Sequence, residues 1–406
     1  MSTTWTKAPL ALAILSVVAF LATHVVLLQN GTAKKMLDNI TSPRPVLAGT
    51  DTPLKIIWTG LWPLDLDFSI MITVFSAILD VRNTSLFFQG SHFFGLWMAS
   101  WMLILLDSHE RMSARQRPSW QARYSYVAWG LVMEFASVAV GLPAWCVANL
   151  VLYSAPEKPA DSLVSGRLTS PESVADLKIL SLSFILTTLI PSLLMLACPP
   201  SAANALISQQ TWILIRLFHP VLLAVVHASL RWIAQPTWSV SRGSSRNSAD
   251  VATYDLLANW IFSAAFWTAA GPHILLSSAI LLTYVAPGLL SVHLFKSLST
   301  GALWPVASIW RSSSSKAETI PLGVSIFMTA NEVISTLALG AWAWNKNQSA
   351  VQQQPENGAN HFSIATSRVL WLAIGFGPGA AAVTLMENRN KILRTSVSAG
   401  DKKKTR

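Results

Sequence analysis

The chain has 406 residues, of which 52% are hydrophobic and 12% charged, with a mean hydropathy of +0.45. A soluble domain carries about a quarter charged residues, so this composition excludes an ordinary globular enzyme and implies an integral membrane protein. The formal net charge of +10 does not indicate nucleic acid, because the basic residues gather in loops and at the C-terminus, where they set membrane orientation.

Residues 9–29 form the first apolar run. It is too long for a signal-peptide core and lacks a small-residue cleavage site, so it reads as a signal anchor. A polar loop to residue 55 follows, then spans at 58–79 and 92–106, an Arg-rich loop at 108–123, and a long span at 124–153 interrupted at Gly141–Pro143. A charged loop at 154–175 leads to a span at 177–198 containing Pro191, and the next span, 212–233, holds Arg216, His219, Pro220, His227 and Arg231. After the hydrophilic stretch SVSRGSSRNS, the runs 256–270 and 274–294 are divided by Gly271-Pro272 and read as two spans or one broken segment. The last spans are 319–344 and 362–386, the latter containing GFGPG. The expected fold is all-α, a polytopic integral membrane bundle of about 8–10 transmembrane helices. It forms a single domain over 1–390, followed by a basic cytosolic tail, 391–406.

Asn30-Gly31-Thr32 and Asn39-Ile40-Thr41 are N-glycosylation sequons that would place the first loop in the lumen. Lys34 and Lys35, and Arg111, Arg115, Arg117 and Arg123 in the third loop, argue for the cytosol. The chain ends DKKKTR, with Lys403 and Lys404 spaced as in a dilysine signal for return to the endoplasmic reticulum, and the same tail satisfies the positive-inside rule. Cys146 and Cys198 lie in apolar runs without metal-like spacing and read as buried free thiols.

The acids carry the chemistry. From Asp67 to Asp80 a helix rises about 20 Å at 1.5 Å per residue, against a hydrocarbon core of about 30 Å, so both cannot sit in water at opposite surfaces. A mid-membrane Asp costs roughly 2.5–3.5 kcal/mol on insertion scales, which makes such a residue a functional candidate. The structural alternative has Asp65 and Asp67 capping the helix and Asp80 pairing with Arg82. Glu134 and Glu332 are the most deeply placed acids. In a dry cavity a protonated carboxylic acid can protonate an apolar substrate, and the alternative is a structural pair with Arg216 or a histidine of 212–233. Asp107 and Glu110 stand at a membrane boundary beside Arg111, and His219, His227 and His273 can shuttle protons or simply pack in the core. Of the 18 tryptophans, Trp97, Trp101, Trp129, Trp260, Trp267 and Trp371 fall within spans, where ring faces can stabilise a cation. DDxxD, DxDD, Walker A, GxGxxG and HExxH patterns are missing from the sequence, which disfavours diphosphate ionisation, nucleotide hydrolysis and metalloprotease chemistry.

The block TGLWPLDLDFSIMITVF, followed by SLFFQGSHFFGLWMASWMLILLDSHER, resembles the N-terminal half of the fungal membrane-bound terpene cyclases of the ascochlorin/ascofuranone type, to which membrane proteins of indole-diterpene clusters are related. Gly60 to Asp65 matches that family's entry pattern, Phe75 its first helix, and Asp107 with Arg111 its exit, where the family more usually has Glu. The resemblance implies protonation of a prenylated, often terminally epoxidised, lipophilic substrate, a carbocation cascade and a closing deprotonation, with neither metal nor other cofactor. Taken together with the depth of the acids in the spans, it points to Asp65 or Asp67 and Glu134 as acid candidates and to Asp107 as a partner or terminal base. The substrate would arrive from the surrounding membrane lipid. A secondary transporter, which would also use intramembrane acids and broken helices, and a membrane-bound acyl- or prenyltransferase are the alternatives.

Overall fold

Where water is absent, backbone N–H and C=O groups must be satisfied within each segment, so long apolar runs fold as helices. A computed structural model describes residues 7–114, 124–152, 170–200, 208–239, 248–286, 319–352 and 366–404. Thirteen helices order these residues: α1 (Lys7–Gln29), α2 (Thr32–Ile40), α3 (Trp62–Leu79), α4 (Thr84–Ala114), α5 (Ser125–Phe135), α6 (Val138–Leu152), α7 (Pro171–Ala197), α8 (Gln209–Leu217), α9 (His219–Ser239), α10 (Ser248–Val285), α11 (Ile320–Gln352), α12 (Thr366–Phe376) and α13 (Pro378–Lys404). α1 and α7 each contain one wider π-helical turn, at Leu21–Val25 and Ile185–Leu189. Among the described residues five helices are long and apolar enough to cross a membrane, six with the bent pair α8–α9, and two further apolar helices, α6 and α12, are shorter. The bundle is all-α and polytopic.

Several breaks fall elsewhere than the Pro and Gly positions suggest. The span expected at 124–153 breaks not at Gly141–Pro143 but at Ala136–Ser137, where Ser137 has φ 112°. Pro143 lies inside α6. Gly141 serves packing instead: a Cβ there would meet the Met133 backbone at 2.9 Å, so its smallness lets α6 fold back on α5. Gly271-Pro272 divides nothing, because α10 runs through it. The missing N–H of Pro272 leaves the Thr268 carbonyl without its helical donor, and Gly95 of α4 backs onto that carbonyl so closely that a Cβ would stand 2.4 Å from its oxygen. The break at α8–α9, bent by 70°, does follow from proline. Pro220 cannot donate to the Arg216 carbonyl, which accepts from His219 Nδ1 at 3.3 Å. The last expected span is split at Gly377 (φ 91°), and the basic tail expected from 391 continues α13 as helix to Lys404.

α4 runs through the middle of the bundle, packed against α10, α11 and α13, while α1 lies along α6 and α11. The largest fully buried side chains include Trp97, Trp101, Trp145 and Trp342. Trp260, Trp267 and Trp371 instead point outward with the leucines of α1, α7 and α12, as expected for lipid contact. Cys146 is buried and Cys198 half-buried, both unpaired. Asn30 is buried, with its Oδ1 accepting from Thr32 N, and Asn39 bonds the Val46 backbone in both directions. The two sequon amides are thus built into the first loop.

Candidate functional site

Two of the predicted acids, Asp67 and Glu134, line one cavity of about 280 Å³. Asp67 projects from the second turn of α3, and Glu134 from the last turn of α5, just before the Ser137 break. Phe75, Phe93, Phe94, Trp97, Phe135 and Phe327 supply aromatic walls, and Asn331 of α11 is in the lining as well. Asn331 Oδ1 accepts from Ala139 N at 3.0 Å, capping the first turn of α6 from across the cavity.

The two acids differ in their company. Glu134 Oε1 accepts from Arg216 Nη1 at 3.2 Å and lies 3.5 Å from His219 Nδ1. Arg216 is itself buried, its guanidinium carbon 3.6 Å from the Trp97 ring centre, and His219 stands edge-on to Trp97 and Trp101. A buried charge needs a partner, and the pairing weighed for Glu134 as the structural alternative is the one found. Asp67 has no hydrogen-bond or ionic partner among the described residues and is half-buried.

Asp65 stays outside the cavity. The positive φ of Gly60 (80°) turns the chain back over the start of α3, and the Asp65 carboxylate gathers four donors from that turn. Trp58 N (3.1 Å), Thr59 N (2.7 Å) and Thr59 Oγ1 (2.9 Å) donate to Oδ1, and Gly60 N (3.0 Å) donates to Oδ2. The Gly60-to-Asp65 pattern is therefore a turn with its clamp. Asp80 pairs with Arg82 at 2.8 Å, as the boundary reading expects.

Asp107 lies ten residues beyond Trp97 on α4, about 15 Å of helical rise, and is absent from the cavity lining. It is buried, with Arg111 Nε at 2.9 Å, Asn149 Nδ2 at 2.8 Å and Lys346 Nζ at 3.5 Å. Trp342 Nε1 in turn donates to Asn149 at 3.0 Å. Glu332 points to yet another cluster. Its Oε1 lies 2.6 Å from His92 Nδ1, His92 Nε2 lies 3.1 Å from His273 Nδ1, and His273 Nε2 lies 3.1 Å from the Ile374 carbonyl oxygen.

Sequence reading missed His92, and also the group in which Asp176 meets Arg231 at 2.7 Å and His109 and His227 at 3.5 Å each. Each of these contacts joins different helices, with no local spacing to announce it. Among the described residues no group of three or more His, Cys, Asp or Glu side chains is arranged to hold a metal ion.

The sequence profile of the CtvD domain family matches residues 7–394. The chain is also 29% identical over 190 residues to a protein named terpene cyclase ctvD from Aspergillus terreus (strain NIH 2624 / FGSC A1156), a likeness covering 46% of this chain and 49% of that relative. The similarity thus spans about half the relative's length. No solved structure matches the chain. The profile match begins at the first residue of α1 and runs into α13, and on that extent the chain belongs to the CtvD family.

Proposed function

We propose that this protein is a membrane terpene cyclase that protonates a lipophilic, prenylated substrate. The observation that carries the reading is the cavity in which Asp67, without a partner among the described residues, faces the Glu134–Arg216 pair between aromatic walls. The family, and the name of the relative that is similar over about half its length, point the same way.

In this reading the Asp67 carboxyl donates its proton to a terminal epoxide oxygen or, in a substrate without one, to an alkene carbon. The epoxide C–O bond breaks, leaving a hydroxyl and a cationic carbon, and the π electrons of the next double bond close a ring and pass the charge along the chain. Phenylalanine and tryptophan ring faces hold that charge. The cascade ends when a C–H proton leaves to Glu134, which Arg216 keeps in place. The substrate is isomerised with no other reactant, and the proton gained by Glu134 is made good at Asp67, directly or by exchange with water, before the next turnover. Asp65 and Asp107, both held in networks of their own, act on the fold and not on the substrate.

The test uses membranes from a host expressing the whole chain. A prenylated phenol carrying a terminal epoxide should be converted to a cyclic isomer of equal mass, and Asp67→Asn membranes should leave it unchanged. Conversion that survives Asp67→Asn with protein present at wild-type level removes the assignment.

A further inference from the structure

The acid cavity adjoins two further cavities that follow α4, each sharing lining residues with the next. A middle cavity of about 380 Å³ shares Ile78 and Phe94 with it. An outer cavity of about 190 Å³ shares Met98, Leu189 and Thr268 with the middle one. α4 forms the floor of the two outer cavities, and α7 and α10 form their sides. The sides end in exposed apolar residues, with Leu193 54%, Trp267 58% and Trp260 58% exposed. The groove therefore opens sideways, toward lipid. The π-helical turn of α7 lies on it, with Ile185 and Leu189 in the lining, and such widened turns recur at functional sites.

The acid cavity alone, at about 280 Å³, falls just below the roughly 300–1,000 Å³ that small-molecule sites occupy. A chain whose reactive end reaches Asp67 must lay its remainder somewhere, and the two outer cavities continue from the acid cavity past one pair of side chains. Of that pair, Ile78 is pinned, because its Cγ2 packs on α4 where a Cβ at Gly90 would come within 2.1 Å. Phe94 is half-buried, with its ring 5.7 Å from that of Phe75, and a change of its rotamer would join the cavities.

We infer that the groove between α4, α7 and α10 takes the linear isoprenoid chain of the substrate from the bilayer, and that Phe94 is the gate that sets the chain length admitted to the acid cavity. The inference rests on the proposed role of that cavity. A bilayer acyl chain could fill the same groove, but what singles out the isoprenoid is the continuity of the groove with Asp67 and Glu134.

The experiment is photolabelling of the full-length protein in membranes with a farnesyl chain carrying a terminal diazirine, read by peptide mass spectrometry, beside a chain-length profile of conversion. The expected labels lie at Leu189, Leu193 or Trp267 in the groove and at Phe75 or Trp97 inside, and excess unlabelled prenylated substrate displaces them. In Phe94→Trp the inner labels should fall about tenfold while the groove labels remain. In Phe94→Ala, conversion of geranylgeranyl relative to farnesyl substrates should rise about tenfold, within the 10–200-fold that pocket size ordinarily discriminates. Inner labels and chain-length preference that stay unchanged in both variants overturn the gate. Groove labels that yield to phospholipid but not to prenylated substrate overturn the isoprenoid assignment. Displaceable labels together with no cyclic product from any prenylated substrate would support the groove while removing the cyclase reading, so the two fail separately.

Discussion

Arg216 lies over the Trp97 ring, its guanidinium carbon 3.6 Å from the ring centre, while its Nη1 donates to Glu134 at 3.2 Å. One cation is thus held by a carboxylate on one side and an indole face on the other, with both its partners lining the acid cavity. A guanidinium suits this place because it is planar, stacks on rings and donates in its own plane.

Removing that cation should be the most damaging change near the cavity. Arg216→Met leaves Glu134 buried without a counter-charge, which for buried pairs costs roughly 3–5 kcal/mol. The double variant Arg216→Met/Glu134→Gln should recover part of the loss, because no uncompensated charge remains. Unfolding of the purified protein in mixed micelles measures both. A double variant no more stable than Arg216→Met alone would show that the pair is not the reason for the loss.

Asp67 should behave in the opposite way. It has no partner among the described residues to orphan, so Asp67→Asn is expected to keep wild-type stability while conversion falls about 10²–10⁴-fold, the usual share of a general acid. Asp67→Glu should restore part of the rate. A parallel loss of folded protein in Asp67→Asn would argue for a structural carboxylate.

For Asp65 the expectation is a fold effect. With its four donors from Trp58, Thr59 and Gly60, Asp65→Ala should loosen the turn before α3 and lower the melting temperature. The residual conversion, per folded molecule, should keep the wild-type product pattern. Asp65→Asn retains an acceptor and should lie between the two. Products that change in kind, with stability intact, would move Asp65 into the chemistry.

Gly95→Ala tests the contact at the centre of the bundle. The added methyl meets the Thr268 carbonyl at 2.4 Å, and overpacking of this sort costs about 1–3 kcal/mol. Pro272→Ala restores a helical donor to that carbonyl and removes the ring atom standing 3.0 Å from the same methyl, so it should relieve the strain in part. Thermal unfolding of the single and double variants checks this, and simple additivity would count against the link.

Helical content, membrane character and the approximate spans at 58–79, 177–198 and 212–233 were legible in the sequence, because a long apolar run has few ways to satisfy its backbone in lipid. Glycines and prolines misled at Gly141, Pro143 and Pro272. There the small residue answers to a neighbouring helix, as Gly95 answers to Thr268, and no local pattern carries that information. The pairing of Asp67 and Glu134 in one cavity was anticipated only as two separate acids in an apolar setting. The residues alone gave Asp65 the same standing as Asp67, and the resemblance favoured Asp65 as the entry acid, since the turn at Gly60 that engages its carboxylate leaves no mark in the spacing. The His92–Glu332 contact joins residues 240 apart and lay beyond any spacing argument.

The Ser137 break gives the cavity something that no side chain supplies. α5 ends at Phe135 with its carbonyl pole and α6 begins at Val138 with its amide pole, and Ala136, Ser137 and Val138 line the same space. Two helix poles of opposite sign, each worth about half a charge at its tip, therefore meet beside Glu134, and Asn331 takes up one of the α6 amides. Being opposite and adjacent they largely cancel farther off, so their effect stays local to the turn at Ala136–Ser137. A substitution of Asp67 or Glu134 would leave that pair of poles in place.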